Sequence, residues 1–169
     1  MDEQALVKRA IAGDEQAFLC LIQNHEQTLY RIAFAYLRNE HDAVEAVQET
    51  TYRSLKKIHT LKEVAYFGTW LVRILLNICY DMREKRLRVD LQENVEMGDH
   101  SQDHQRFEMT EIIAKLPKAQ QELIFLKYFH DLQNKEIAAL HNIPEGTVKS
   151  RLHTALSKLK HYFMEKGEH

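Results

Sequence analysis

EIAALHNIPEGTVKSRLHTAL, residues 136–156, holds a short helical pattern, a break at Asn142–Pro144 and a second helical pattern. Asn134 stands where it can cap the first helix, which carries Ile137, Ala138 and Leu140. Asn142 follows at a position for a left-handed residue, a conformation that asparagine tolerates. Pro144 suits entry into a new helix, because its fixed φ and missing N–H cost nothing there. Two short helices joined by a tight turn make a helix-turn-helix. On a helical wheel Val148, Leu152, Ala155 and Leu159 share one inward stripe. Gly146, Ser150, His153 and Ser157 lie opposite, flanked by Lys149 and Thr154, with Arg151 at the edge.

That outward face is small, polar or cationic and carries no acid after Glu145. Serine and lysine reach base edges in a groove, an arginine at the rim suits a phosphate, and the helix N-terminus favours anions. Lysine and serine are also ordinary on a solvated helix. The turn tips the reading toward groove entry, since the short helix has no other evident purpose than to present this face.

Leu116-Pro117 separates a short helix from a longer one in IIAKLPKAQQELIFLKYF, residues 112–129. Before it, residues 90–109 lack a sustained period and are rich in Asp, Glu, Gln and His, the composition of a flexible acidic linker. His100 and His104 lie four apart, but no third ligand recurs at metal-site spacing, so they read as solvated histidines. Upstream, the periodicity predicts four helices near 2–12, 14–38, 40–58 and 64–88, with HTLKEVAY, residues 59–66, as a loop. Phe67, Trp70, Leu71, Ile74, Leu75 and Ile78 form one stripe of the fourth helix and are expected in the core.

The third helix, HDAVEAVQETTYRSLKKI, residues 41–58, behaves differently. Val44, Val47, Thr51, Leu55 and Ile58 share a stripe, beside a face of Glu45, Gln48, Glu49 and Tyr52. Two acids, an amide and a phenol would repel DNA phosphate and would suit a basic protein surface. On composition alone, a solvated face is the simpler reading.

The bulk numbers fit an all-α protein in two small domains. Hydrophobic residues make up 44% of the 169, and five glycines and two prolines are few for a turn-rich β fold. The charged N-terminus lacks a signal-peptide pattern, and no apolar run is long enough for a membrane span, so a cytoplasmic protein is expected. Cys20 and Cys79 both fall in apolar patterns and read as reduced core thiols. The net charge of −2 hides an asymmetry: residues 91–111 carry one base and six acids, residues 112–169 nine bases and six acids. No paired acid and base, glycine-rich phosphate loop or metal-spaced set argues for an enzyme, and no cofactor or metal is expected.

Taken together, DAVEAVQET (42–50), FGTWLVRILLN (67–77), LPKAQQELIFLKYF (116–129) and the opening stretch resemble bacterial sigma factors of the extracytoplasmic-function group. All four occur in that family's order and spacing. The resemblance implies an alternative initiation factor for a stress or envelope response, a monomer in the holoenzyme with core RNA polymerase. It would act at promoter DNA under an anti-sigma factor, often membrane-tethered. Residues 1–89 would be sigma region two, 90–109 a linker threading the polymerase active-site region, and 110–169 sigma region four. Glu45, Gln48 and Glu49, with Tyr52 beside them, match positions that grip the clamp helices of the largest polymerase subunit. His59, Thr60, Lys62 and Tyr66 in the loop, with Asn77, match the elements that capture the melted minus-ten strand. The basic cluster Arg83, Lys85, Arg86 and Arg88 would touch nearby backbone or duplex. Gly146, Thr147, Lys149, Ser150, His153 and Thr154 match the face entering the minus-thirty-five major groove, with Arg151 on the backbone.

Thr51 with Tyr52, Gln133, His141, Asn142 and Thr154 depart from the family's usual residues; Gln133 stands where a serine cap is frequent. His141 is expected as a partly buried, pH-sensitive packing residue. A stand-alone helix-turn-helix repressor is the rival reading. It would need a dimer to read paired half-sites and leaves the third helix's polar face unexplained.

Overall fold

Between α1 (Glu3–Ile11) and α2 (Glu15–Leu37) the chain turns, and Asp14 caps the longer helix by accepting the Ala17 N–H at 3.1 Å. Arg9 closes on the same carboxylate at 2.6 Å. The Ala17 N–H, then Arg9, hold the Asp14 carboxyl below its ordinary 3.8. α3 (Glu40–Lys57) follows after Asn39, whose side chain accepts the Asp42 N–H at 2.9 Å. Two 3₁₀ turns, Ile58–Thr60 and Val64–Tyr66, lead into α4 (Phe67–Glu93). The computed structural model describes residues 2–93, 109 and 111–167, and the chain divides into two compact units, Met1–Met97 and Gly98–His169. No strand occurs among the described residues.

In the first unit α2 packs on α1, α3 and α4, and α3 on α4. Val7, Leu21, Leu29, Ile32, Phe67, Leu71, Val72 and Leu75 are almost wholly buried and form the core. His25 staples α1 and α4 to α2: its Nε2 lies 3.2 Å from Glu3 Oε1 and its ring sits edge-on to Phe67, centroids 5.6 Å apart. Gly68 permits this, because a Cβ there would stand 2.9 Å from His25 Cε1. The staple fixes the start of α4, immediately after the loop at 59–66.

In the second unit residues 111–114 form a helical turn, and Pro117 then precedes α5 (Lys118–Ile124). Buried Gln121 ties the two together, donating to the carbonyls of Ala114 and Leu116 at 3.1 and 2.7 Å. A π turn, Phe125–Phe129, continues α5, with His130 N–H reaching back to Phe125 O. Then come α6 (Asn134–His141) and α7 (Glu145–Gly167), packed on one another and on α5 or its π turn. Their core is Ile112, Leu126, Ile137, Val148, Leu152 and Ala155 with their neighbours.

Several expectations need correction. α3 buries Ala43, Ala46, Val47, Thr50 and Ser54, whereas Val44 and Leu55 are each 46% exposed. The small side chains let α3 lie close to its neighbours, so the inward stripe is rotated from the bulky one. Cys20 is exposed, and only Cys79 is a core thiol. Gln133, not Asn134, occupies the N-cap of α6, and its backbone N–H is accepted by Glu136 at 3.1 Å. Trp70 and Ile74 are only half-buried, while Phe67, Leu71, Leu75 and Ile78 are core as expected. α4 runs on to Glu93, so residues 90–93 of the expected linker are helical. His100 and His104 lie outside the described residues, as does most of that linker.

Burial pushes the Cys79 thiol up to about 12, which leaves it unreactive. A maleimide added to the native chain should therefore modify one thiol, Cys20, and reach Cys79 only on unfolding. Two fast equivalents would contradict the packing of α4. Because its folded pKa is depressed, Asp14 stabilises the fold above its ordinary value, and that contribution disappears as pH falls through the folded value. Asp14→Ala should lower the thermal midpoint at neutral pH, and the gap from the parent should narrow in acid; a constant gap would contradict the linkage.

Candidate polymerase and nucleic-acid interfaces

Turning the small stripe of α3 inward leaves a mixed surface outward. Val44 and Leu55 form its apolar part; Glu45, Gln48 and Tyr52 are exposed beside them. Glu49 is half-exposed and receives Arg53 Nε at 2.8 Å, and Lys56 Nζ stands 4.5 Å from the centre of the Tyr52 ring. Val44, Val47 and Gln48 share a shallow groove of about 360 Å³ with Glu26, Gln27 and Tyr30 of α2. Sequence reasoning grouped Val44 and Leu55 in one stripe with Val47 and Ile58, which are buried, and missed the α2 residues. The available signal was the second, small-residue stripe on α3. Thr51 donates its hydroxyl to Val47 O at 3.0 Å, so this departure is satisfied within the helix.

The first 3₁₀ turn and the loop after it expose His59, Thr60 and Lys62, and Tyr66 is half-buried. The Thr60 hydroxyl donates to Lys57 O at 2.6 Å. Asn77 is exposed on α4, on the side where Trp70, Arg73 and Ile74 are half-buried. Ring and amide on one helix side could stack a base and read its edge. Lys85 and Arg88 are exposed further along α4. Arg83 and Arg86, expected near them on DNA, also bond within their own unit: Arg83 Nη1 donates to Tyr36 O at 3.3 Å and Arg86 Nη1 to Asp42 Oδ2 at 2.6 Å.

In the helix-turn-helix, Asn142 takes φ 53° and closes α6, its N–H donating to Ala138 O. The carbonyl of Pro144 then accepts the Thr147 N–H at 3.0 Å and opens α7. Val148, Leu152, Ala155 and Leu159 are buried. Gly146, Lys149, Ser150, Arg151, His153 and Thr154 are exposed, and Thr147 is half-buried. A Cβ on Gly146 would meet nothing within 4 Å, so its own unit does not demand a glycine there. The Thr154 hydroxyl donates to Ser150 O at 3.1 Å. His141 is four-fifths buried, with Nε2 3.7 Å from Glu122 Oε1, which agrees with a packing role beside the turn.

His41, Asp42 and Glu45 bring ligand atoms within 4.8 Å of one another. Arg86 already occupies Asp42, and the positive end of α3 opposes a cation there.

Comparison with known proteins agrees with this division. The model described as Sigma-70 region 2 matches residues 21–89, and that described as Sigma-70, region 4 matches residues 106–159. RNA polymerase sigma factor SigV of Bacillus subtilis is 32% identical over 143 residues, covering 82% of this chain and 86% of SigV. The chain belongs to the sigma-70 family. Within it the sigma factor falls in the extracytoplasmic-function group: ECF RNA polymerase sigma factor SigW of Bacillus subtilis is 28% identical, over 91% of this chain and 92% of SigW. The structure of CnrH in complex with the cytosolic domain of CnrY shares the fold, with TM-score 0.70, 23% identity and coverage of 96% and 97% of the two chains. Sigma factors are non-enzymatic initiation factors that direct core RNA polymerase to promoters. The repressor reading gives way, because the region 2 model matches residues 21–89, most of the first unit. No described helix of the sigma factor is long and apolar enough to cross a membrane.

The exposed face of α7 yields a prediction. Replacing Lys149 with alanine should cost about 1–3 kcal/mol at a matched minus-thirty-five site if its ammonium reads a base. Binding measured across a panel of sites checks this; an equal loss on every sequence would make Lys149 a phosphate contact.

Proposed function

We propose that residues 1–89 of this sigma factor form the core-polymerase and minus-ten unit, and residues 110–169 the minus-thirty-five unit. The observation that carries the reading is the outward turn of α3. An apolar strip, Val44 and Leu55, lies beside Glu45, Gln48, Glu49 and Tyr52. Apolar centre and acidic rim suit a basic helical surface such as the clamp helices of the largest polymerase subunit. His59, Thr60, Lys62, Tyr66 and Asn77 then take the melted minus-ten strand, with Lys85 and Arg88 on nearby backbone. Gly146, Thr147, Lys149, Ser150, His153 and Thr154 enter the major groove, and Arg151 holds its phosphate edge.

The sigma factor contributes binding and promoter choice, and bond formation belongs to the polymerase. It works as a monomer in a cytoplasmic holoenzyme, in a stress or envelope response. An anti-sigma factor holds it inactive. Two proteins of similar fold support this: CnrH is seen with the cytosolic domain of CnrY, and RpoE of Bartonella quintana with the anti-sigma factor NepR, the latter at TM-score 0.58 and 22% identity. A partner described by a cytosolic domain is what a membrane-tethered inhibitor would present.

Core polymerase supplemented with the chain should produce discrete run-off transcripts from a genomic template library. No transcript on any template would refute the reading. Glu45→Lys with Glu49→Lys should abolish holoenzyme formation while helical circular dichroism stays normal; retained binding would move the polymerase contact off α3.

A further inference from the structure

α2 and α3 meet at a corner, Leu37–Glu40, where Arg38 takes φ 55° and Asn39 caps the next helix. Two opposite electrostatic ends converge there. α2 finishes with carbonyls, and α3 starts with N–H groups, that have no partner inside their own helix, and α3 adds a positive dipole end. α4 runs past this corner and presents Arg83 and Arg86, three apart and therefore neighbours on one helix side. Arg83 donates to Tyr36 O, one of the last carbonyls of α2, and Arg86 binds the Asp42 carboxylate in the first turn of α3. Asp42 is held a second time, through its backbone N–H on Asn39. Each guanidinium meets negative charge or a carbonyl of its own unit.

We propose that Arg83 and Arg86 are positioning residues that grip the α2–α3 corner, not DNA contacts. Their work is to fix the polymerase face of α3 in register with the minus-ten face of α4. Asp42 lies one turn before Glu45, so a shift at the corner is felt where that face begins. Asn77 lies less than two turns before Arg83 on α4. The pair Arg86–Asp42 therefore joins the helix that holds polymerase to the helix that holds promoter. Of the basic cluster, this leaves Lys85 and Arg88 for phosphate.

The functional part of this inference rests on the polymerase assignment of α3; the structural part does not. A charge-swap cycle separates them: Arg86→Asp, Asp42→Arg, the double swap, and Arg86→Lys as the conservative variant. In the free chain, hydrogen exchange at the α3 N-terminal amides should quicken in each single reversal and slow again in the swap and in Arg86→Lys. Binding to core polymerase without DNA should weaken about tenfold in each single reversal, a change of about 1.4 kcal/mol, and recover in the swap. Unchanged exchange in the single reversals overturns the grip. A loss seen only with promoter DNA, unrescued by the swap and with the salt slope reduced by about 1, makes Arg86 a phosphate contact and overturns the proposal. Parent chain that fails to bind polymerase refutes the assignment of α3, while the exchange data still decide the grip.

Discussion

Close packing of α3 through small side chains is the constraint on which the rest of the first unit depends. Ala43, Ala46, Thr50 and Ser54 are buried, and the two hydroxyls are satisfied inside the helix, by Ala46 O at 2.7 Å and Thr51 O at 2.9 Å. No buried hydroxyl of this stripe therefore needs a partner from another helix. With the inner side given to small residues, the bulky Val44 and Leu55 are left in water beside two acids. A monomer gains nothing by exposing them, whereas a protein completed by a larger partner does. The same packing that stabilises the unit thus creates the surface proposed to meet polymerase.

The second dependence is angular. On the proposed assignment the α3 and α4 faces serve different partners, so their mutual orientation matters more than the stability of any one contact. An exposed ion pair contributes only about 0–1 kcal/mol to folding. The Arg86–Asp42 pair, about half-exposed on the arginine side, is weak as a stabiliser and better suited to fixing where α3 begins. His25 acts comparably at the other end, joining α1 and the start of α4, with Gly68 making room.

Much of this was legible in the chain. Four helices, the proline break at residue 117, the left-handed Asn142 and the inward stripe Val148–Leu152–Ala155–Leu159 follow from periodicity and local backbone chemistry alone. What periodicity misread was α3, where ranking positions by apolar bulk favoured Val44 and Leu55 over Ala43, Ala46, Thr50 and Ser54. Burial there is decided by how closely neighbouring helices approach, a tertiary property. Cys20 failed for a related reason: an apolar pattern on a long helix does not say which edge of the stripe turns to water. The bonds of Arg83 and Arg86 were not legible in sequence, because their partners, Tyr36 O and Asp42, lie over forty residues away.

From Gly146 to Thr154 the outward face of α7 carries two side chains of fixed positive charge, Lys149 and Arg151, so the phosphate attraction it offers is small. On the proposed reading, affinity comes from polymerase through α3, which makes the exposure of that helix the centre of the account. Hydroxyl-radical footprinting of the chain with and without core polymerase addresses it at side-chain resolution. Tyr52 and Leu55 should be reactive in the free chain and protected in the holoenzyme, with Phe67 and Leu75 unreactive in both. Holoenzyme that forms while Tyr52 and Leu55 stay as reactive as before would contradict it.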